Sequence, residues 1–283
     1  MHHHRAHEDR AEGPWRRRFA EEARADRPDL ALLCLLIGTE ADEEFGEEGI
    51  DAAQIELDRL SGALPYGVRG PDAQARALSG LLGGREGFHG APADYRRLES
   101  SLLHEVLRRR RGLPILLSVV WTEVARRAGW HVYGVALPGH FVVGFGDADG
   151  QVLADPFAAG RTLSAEDAGL LVAGGTGTAL TPDMLEPADP RAVVTRILNN
   201  VRAWASARPE RSDVALWALD LLLLLPSHPA RLRYERARLL VQRGSFTEGA
   251  AEMEAYADVV AAVEPAAAES LRSQARGARA RLN

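Results

Sequence analysis

The sequence has a single cysteine, Cys34, so a disulfide framework is excluded. That residue lies in "LALLCLLIG", where a thiol among leucines reads as a small buried hydrophobe. The absence of paired cysteines suits a reducing compartment. Long apolar runs are missing too: no stretch reaches the roughly 18 apolar residues of a membrane-spanning helix. The opening "MHHHRAHEDRAEGPWRRRF" lacks the apolar core of a secretory signal. A cytoplasmic protein with no membrane partner is therefore the expectation. An excess of basic charge is absent as well. With 34 Lys+Arg against 40 Asp+Glu and a net charge of −6, the chain has no global field to hold nucleic acid. Metal-ligand spacing is lacking: His89 and His104 have no partner at such a spacing and default to surface or capping roles. His2, His3, His4 and His7 form a terminal tract without a preorganised site, so neither a metal nor another cofactor is expected.

What is present is enough apolar residue, 46% of 283, to fill substantial cores. To about residue 110 the period is helical, in "DLALLCLLIGTEA", "GIDAAQIELDRLSGAL", "PDAQARALSGLL" and "ADYRRLESSLLHEVLRRR". The last of these is predicted to stop at Gly112, a residue that tolerates the left-handed position ending many helices. Pro114 then suits the first position of a new helix. The run from Ile115 through Ala128 is apolar around most of its circumference and predicts an internal helix. After Gly129, "HVYGVALPGHFVVGFGDADGQVLADPF" reads as antiparallel strands with a hairpin turn in "GDADG". From Arg191 onward the pattern is helical in pairs. The segment "ARLRYERARLLVQRGSFTEGAAEMEAYADVV" is similar to a tetratricopeptide unit, with Ala237 and Leu240 facing Ala250, Met253 and Tyr256. Two such units are fewer than a free-standing array needs, so this tail requires further packing.

His140 begins one predicted strand and Asp155 lies near the end of the next. A turn centred on Asp147-Ala148 sets them directly opposite, whereas one centred on Asp149-Gly150 shifts the register but keeps both on one face. A carboxylate beside an imidazole is the base-and-orienter half of a nucleophilic triad. The nucleophile would come from another element, ideally a helix N-terminus that lowers a thiol pKa.

The order of parts, with the phrases "RRRGLP", "LPGHF" and "ADPF", resembles the SirB-type (YchA-like) bacterial branch of the transglutaminase-like superfamily, from about Phe19 to Val260. The resemblance implies an α+β fold: a papain-like core of helices on an antiparallel sheet, a helical N-terminal region and C-terminal tetratricopeptide-like hairpins. The expected division is a flexible N-terminus (1–18), a transglutaminase-like domain (19–173), a linker (174–190) and a helical domain (191–283). The resemblance also implies a Cys-His-Asp triad. By position His140 matches the histidine and Asp155 the aspartate, but Pro114 stands where the cysteine belongs, and relatives commonly carry a hydroxyl two residues on, where this chain has Leu116.

Ser118 is the nearest hydroxyl. It lies one turn beyond Pro114 and is expected to bond back to the carbonyl of residue 114. Arg110 and Arg111, in the run Arg108–Arg111, either serve a helix carboxyl end or, with Pro114 and Ser118, line a binding cleft. The preferred expectation is a non-catalytic module that binds a protein or peptide through its helical tail. The alternative is amide hydrolysis or isopeptide-type transfer by a His140–Asp155 dyad acting without a cysteine.

Overall fold

The computed structural model describes residues 13–147 and 150–282. The four N-terminal histidines and the turn residues Ala148 and Asp149 lie outside the described residues. The chain divides into two compact units, one from Pro28 to Ile197, the other combining the chain up to Arg27 with Leu198–Asn283.

The first unit is α+β. Its helices are α2 (Leu30–Ala41), α3 (Glu47–Gly62), α4 (Pro71–Leu78, continued as a π-helical turn to Arg85), α5 (Leu103–Arg109) and α6 (Pro114–Arg127). Four antiparallel strands follow in simple order: β1 (Val132–Val135), β2 (Val142–Phe145), β3 (Val152–Asp155) and β4 (Arg161–Leu163). Helix α7 (Ala165–Thr176) completes the layer; a Ser164–Asp167 capping box starts it and Gly177, with φ of 72°, ends it.

Helix α6 is the pivot. Nearly every residue from Pro114 to Ala125 is buried, as its all-round apolar pattern requires. It packs on α2, α3 and α5 and on β1, β2 and the turn after β3. Trp121 meets Phe88 edge-on at 5.9 Å. Its one buried acid, Glu123, is neutralised by Arg126 and Arg127. Burying each Leu or Val here contributes about 1.5–3 kcal/mol, enough in sum to fix the helix as the unit's core.

Two local expectations are corrected. The segment "ADYRRLESS" forms 3-10 turns, Pro92–Arg96 and Leu98–Ser101, instead of the start of a long helix. The cause is Asp94, which is 1% exposed and accepts from Ala91 N, Ser100 Oγ and the Arg111 guanidinium, holding the chain in tight turns. The following helix also leaves through Arg110, at φ 59°, rather than at Gly112. Gly112 is needed for a different reason: a β-carbon there would lie 2.6 Å from Val106 Cγ2.

The stretch 174–190, expected as a linker, packs on the sheet. Leu180, Met184 and Leu185 lie against the cluster of Val135, Val142 and Leu153. Ala188 N donates to Gly134 O at 2.8 Å, and Val135 bridges to Pro187. The division between the units falls later, inside α8 (Pro190–Ser206).

The second unit is helical: the C-terminal part of α8, then α9 (Ser212–Leu224), α10 (Arg231–Gln242), α11 (Phe246–Ala261) and α12 (Pro265–Arg279). Ala237, Leu240, Ala250 and Met253 are buried as their repeat-like spacing predicts, and Tyr234 stacks on Tyr256. The packing that this short array needs comes in part from residues assigned to a flexible N-terminus or to the other domain. Pro14–Arg24 forms a helix, α1, with Phe19 and Ala23 fully buried, and it packs on α9. Arg16 Nη1 donates to Asp220 Oδ2 at 2.8 Å. The sequence signal was Pro14, a helix-starting residue, ahead of apolar Phe19 and Ala23 at i and i+4.

Candidate functional site

His140 stands just ahead of β2, in a turn where Gly139 takes φ +77° and His140 N donates to Leu137 O. The β2–β3 ladder pairs Val143 with Ala154 and Phe145 with Val152. Continued outward, that register sets residue 142 opposite Asp155. Neither anticipated turn centre applies, and His140 is the diagonal neighbour on the same face, within reach of a ring side chain. Its Nε2 lies 3.0 Å from Asp155 Oδ1, with the two side chains 12% and 8% exposed. The distance is that of an ion pair, but the contact is not aligned as a hydrogen bond. Asp155 Oδ1 accepts instead from Phe157 N at 2.9 Å, capping the turn Pro156–Ala158.

Phe157 organises the surroundings. It meets the His140 ring edge-on, with centroids 6.1 Å apart, and Tyr95 at 5.9 Å. Tyr95 is 53% exposed, and burial of its inner side followed by the Asp155 carboxylate pushes its phenol up from the ordinary value.

Pro114, expected in the cysteine's place, is the first residue of α6 and buried, preceded by Leu113, whose N donates to Ser100 O at 2.9 Å. Ser118 is 1% exposed, and its hydroxyl crosses to the Phe141 carbonyl at 3.4 Å instead of turning back along its own helix. Cys34 is 1% exposed in α2, and burial, then Asp29 and Glu123, push its thiol far up. Neither is an activated nucleophile.

The arginine run is tied to internal carboxylates. Arg108 pairs with Glu105, and Arg109 and Arg111 converge on Asp94. Arg110 pairs with Glu56 while lying 4.6 Å over the Phe88 ring. The hydrogen bond from Arg59, reinforced by Arg110, lowers Glu56 to about 2. Arg110 and Arg111 thus brace α5 against its neighbours, and the structure brings neither of them to the His140–Asp155 pair. His104, expected at the surface, stacks on Phe45 at 4.1 Å, and burial lowers its pKa; His89 is exposed.

Sequence reasoning missed Arg196 on α8. Its Nη1 donates to Leu137 O at 3.0 Å and its Nη2 to His140 O at 2.8 Å, while its plane lies 5.5 Å over Phe141. The available signal was a cation at the edge of the stripe formed by Val193, Val194 and Ile197.

In the helical unit, a depression of about 530 Å³ lies between α8 and α10, lined by Asn199, Arg202, Arg238 and Gln242 among others. A second, of about 370 Å³, lies between α10 and α12 and shares Arg238 and Gln242. The first helices of successive hairpins thereby form one grooved face.

A sequence profile described as the transglutaminase-like superfamily matches residues 47–199, and a tetratricopeptide-repeat profile matches residues 201–283. A UPF0162 protein of Xylella fastidiosa (strain 9a5c) is 36% identical over 174 residues, 59% of this chain and 61% of that relative. The matched part therefore spans less than two thirds of that relative's length. The F-box only protein 21 of Homo sapiens is 26% identical over 57% of this chain and 27% of its own. Among solved structures, the crystal structure of menin, titled for its binding site for Mixed Lineage Leukemia protein, overlaps 86% of this chain and 68% of its own at 13% identity and a TM-score of 0.42.

Proposed function

The chain belongs to the transglutaminase-like superfamily and carries tetratricopeptide repeats, and on that footing we propose that it is a non-catalytic module that binds a protein or peptide segment. The observation that supports this reading best is at the start of α6. The residue there is a proline, and the hydroxyl one turn along is buried against a strand carbonyl. Acyl or amide transfer through a covalent intermediate needs a nucleophile within hydrogen-bond reach of its base. An imidazole and a carboxylate without one cannot form that covalent intermediate, and such a pair serves to hold the strands in place. Tetratricopeptide repeats generally mediate protein–protein interaction, and the grooved face centred on Arg238 is the surface assigned to the partner here. The walled-in thiol and the balanced charge agree with a cytoplasmic protein that binds no nucleic acid.

A second reading is kept by the 3.0 Å His140–Asp155 contact: the dyad acts as general base on water or on a substrate-borne amine. One comparison separates the two. Wild type, His140→Ala and Arg238→Glu are assayed on an array of glutamine-containing peptides, for binding and for ammonia released in the presence of an amine acceptor. The binding-module reading expects retained binding with His140→Ala, loss of binding with Arg238→Glu, and no ammonia from any of the three. Ammonia released by wild type and not by an equally folded His140→Ala protein overturns it.

A further inference from the structure

Arg196 is a half-buried cation whose hydrogen bonds go to the main-chain carbonyls of Leu137 and His140 and, among the described residues, to no carboxylate. In the same unit Arg108 to Arg111 and Arg127 are each matched to Asp or Glu. A guanidinium offers five N–H donors in a planar fork, so two carbonyls leave donors unassigned. Burial disfavours its charge, and the ionisable group acting on it is Tyr95, not an acid. A half-buried guanidinium without a carboxylate partner keeps part of its fork open to solvent, where a planar anion can complete it.

We propose that Arg196, together with the Tyr95 hydroxyl, forms a carboxylate-binding subsite beside the His140–Asp155 pair, suited to the free carboxylate that ends a peptide or an N-acylated amino acid. Arg196 is anchored to the backbone of His140 itself, and the rings of Tyr95 and His140 both lie against Phe157. The phenol is half exposed and senses both the Arg196 cation and the Asp155 carboxylate. A planar monoanion matches the fork, whereas the nearby Asp155 repels a doubly charged group. Phe157, half-buried beside His140 and Tyr95, gives the chain behind the carboxylate an apolar wall. The inference rests on reading the surroundings of His140 as a place of binding rather than of reaction.

The test titrates N-acetylglycylglycine into the full-length protein and follows the arginine Nε–Hε resonances by NMR. N-acetylglycylglycinamide serves as the neutral control and inorganic phosphate as the competing anion. A saturable shift of the Arg196 signal with the free acid, none with the amide and a weaker response to phosphate is expected. Binding measured calorimetrically is expected to fall at least about tenfold in Arg196→Gln and about threefold or more in Tyr95→Phe, which keeps the ring and removes only the hydroxyl. Equal binding of acid and amide, equal response to phosphate, or unchanged affinity in Tyr95→Phe overturns the subsite. If Arg196→Gln does not fold, Tyr95→Phe decides alone. Mass spectrometry of the recovered dipeptide separates this inference from the reading beneath it. Bound and intact supports both; bound and cleaved in a His140-dependent way sinks the non-catalytic reading and leaves the subsite standing; unbound sinks the subsite alone.

Discussion

Gly90 faces Phe157 so closely that a β-carbon at residue 90 would fall 1.9 Å from Phe157 Cδ2, and Gly90 N donates to Phe157 O at 3.0 Å. The loop ahead of the 3-10 turns therefore sets the ring that lies edge-on to His140. Gly90→Ala must displace that ring, at a cost of about 1–3 kcal/mol. Urea unfolding should show this loss, and the His140 ring resonances should move with it. Unchanged stability with unmoved His140 resonances would show that the contact is not set by this glycine.

Restoring a thiol tests the architecture directly. In Pro114→Cys the sulfur opens a 14-residue helix, where aligned amides favour a thiolate. Thiolate absorbance is expected to titrate below the ordinary value of about 8.5. Adding His140→Ala should raise that midpoint again. Identical titration of the single and double variants would mean that the helix start lies beyond reach of the imidazole.

The ion pairs around Glu56 make stability pH-dependent. Its carboxyl is lowered from 4.5 to about 2, first by the Arg59 hydrogen bond and then by Arg110. A depressed carboxylate contributes stability that is complete above the unfolded value and is lost as pH falls through the folded one. The side chain keeps partial contact with water, which screens the pairs, so Glu56→Gln should cost about 0.5–1 kcal/mol at pH 7. Unfolding midpoints of wild type and variant should converge as pH drops from 4.5 toward 2. A gap that stays constant through that window refutes the assignment.

In the helical unit Asp220 accepts from both Arg16 and Arg236, with all three residues less than a tenth exposed. Asp220→Ala removes the carboxylate shared by two buried cations, of which Arg236 keeps Glu248 and Glu252, and should destabilise by about 1–3 kcal/mol. Differential scanning calorimetry of the full chain should register a lower transition. A loss below about 0.5 kcal/mol, the size of an ordinary surface change, counts against a structural role.

Much of this was legible in the sequence where one period or one residue type dominates. The apolar circumference of Ile115–Ala128, the strand runs around "LPGHF" and "ADPF", and the small residues of the repeat hairpins each appear where their spacing puts them. Facial parity placed His140 beside Asp155 even though the turn was centred elsewhere, because a shift by two residues leaves the face unchanged. Less legible were features set by long-range partners. Asp94 breaks an otherwise helical pattern through contacts with Ser100 and Arg111. The four consecutive arginines read as one patch, yet they serve four separate carboxylates, Glu105, Asp94, Glu56 and Glu86, and a left-handed Arg110 turns them apart. Arg196 was silent because its role is written in main-chain carbonyls far along the chain.

The outer edge of β1 meets Val135↔Pro187 and the Ala188 N–H. Proline has no amide proton to offer, so ladder growth halts at that flank, and an incoming extended segment finds no template there for main-chain pairing. The sheet is thus guarded on this side against self-association between copies, and at this flank a visiting polypeptide is recognised through its side chains and termini rather than by joining as another strand.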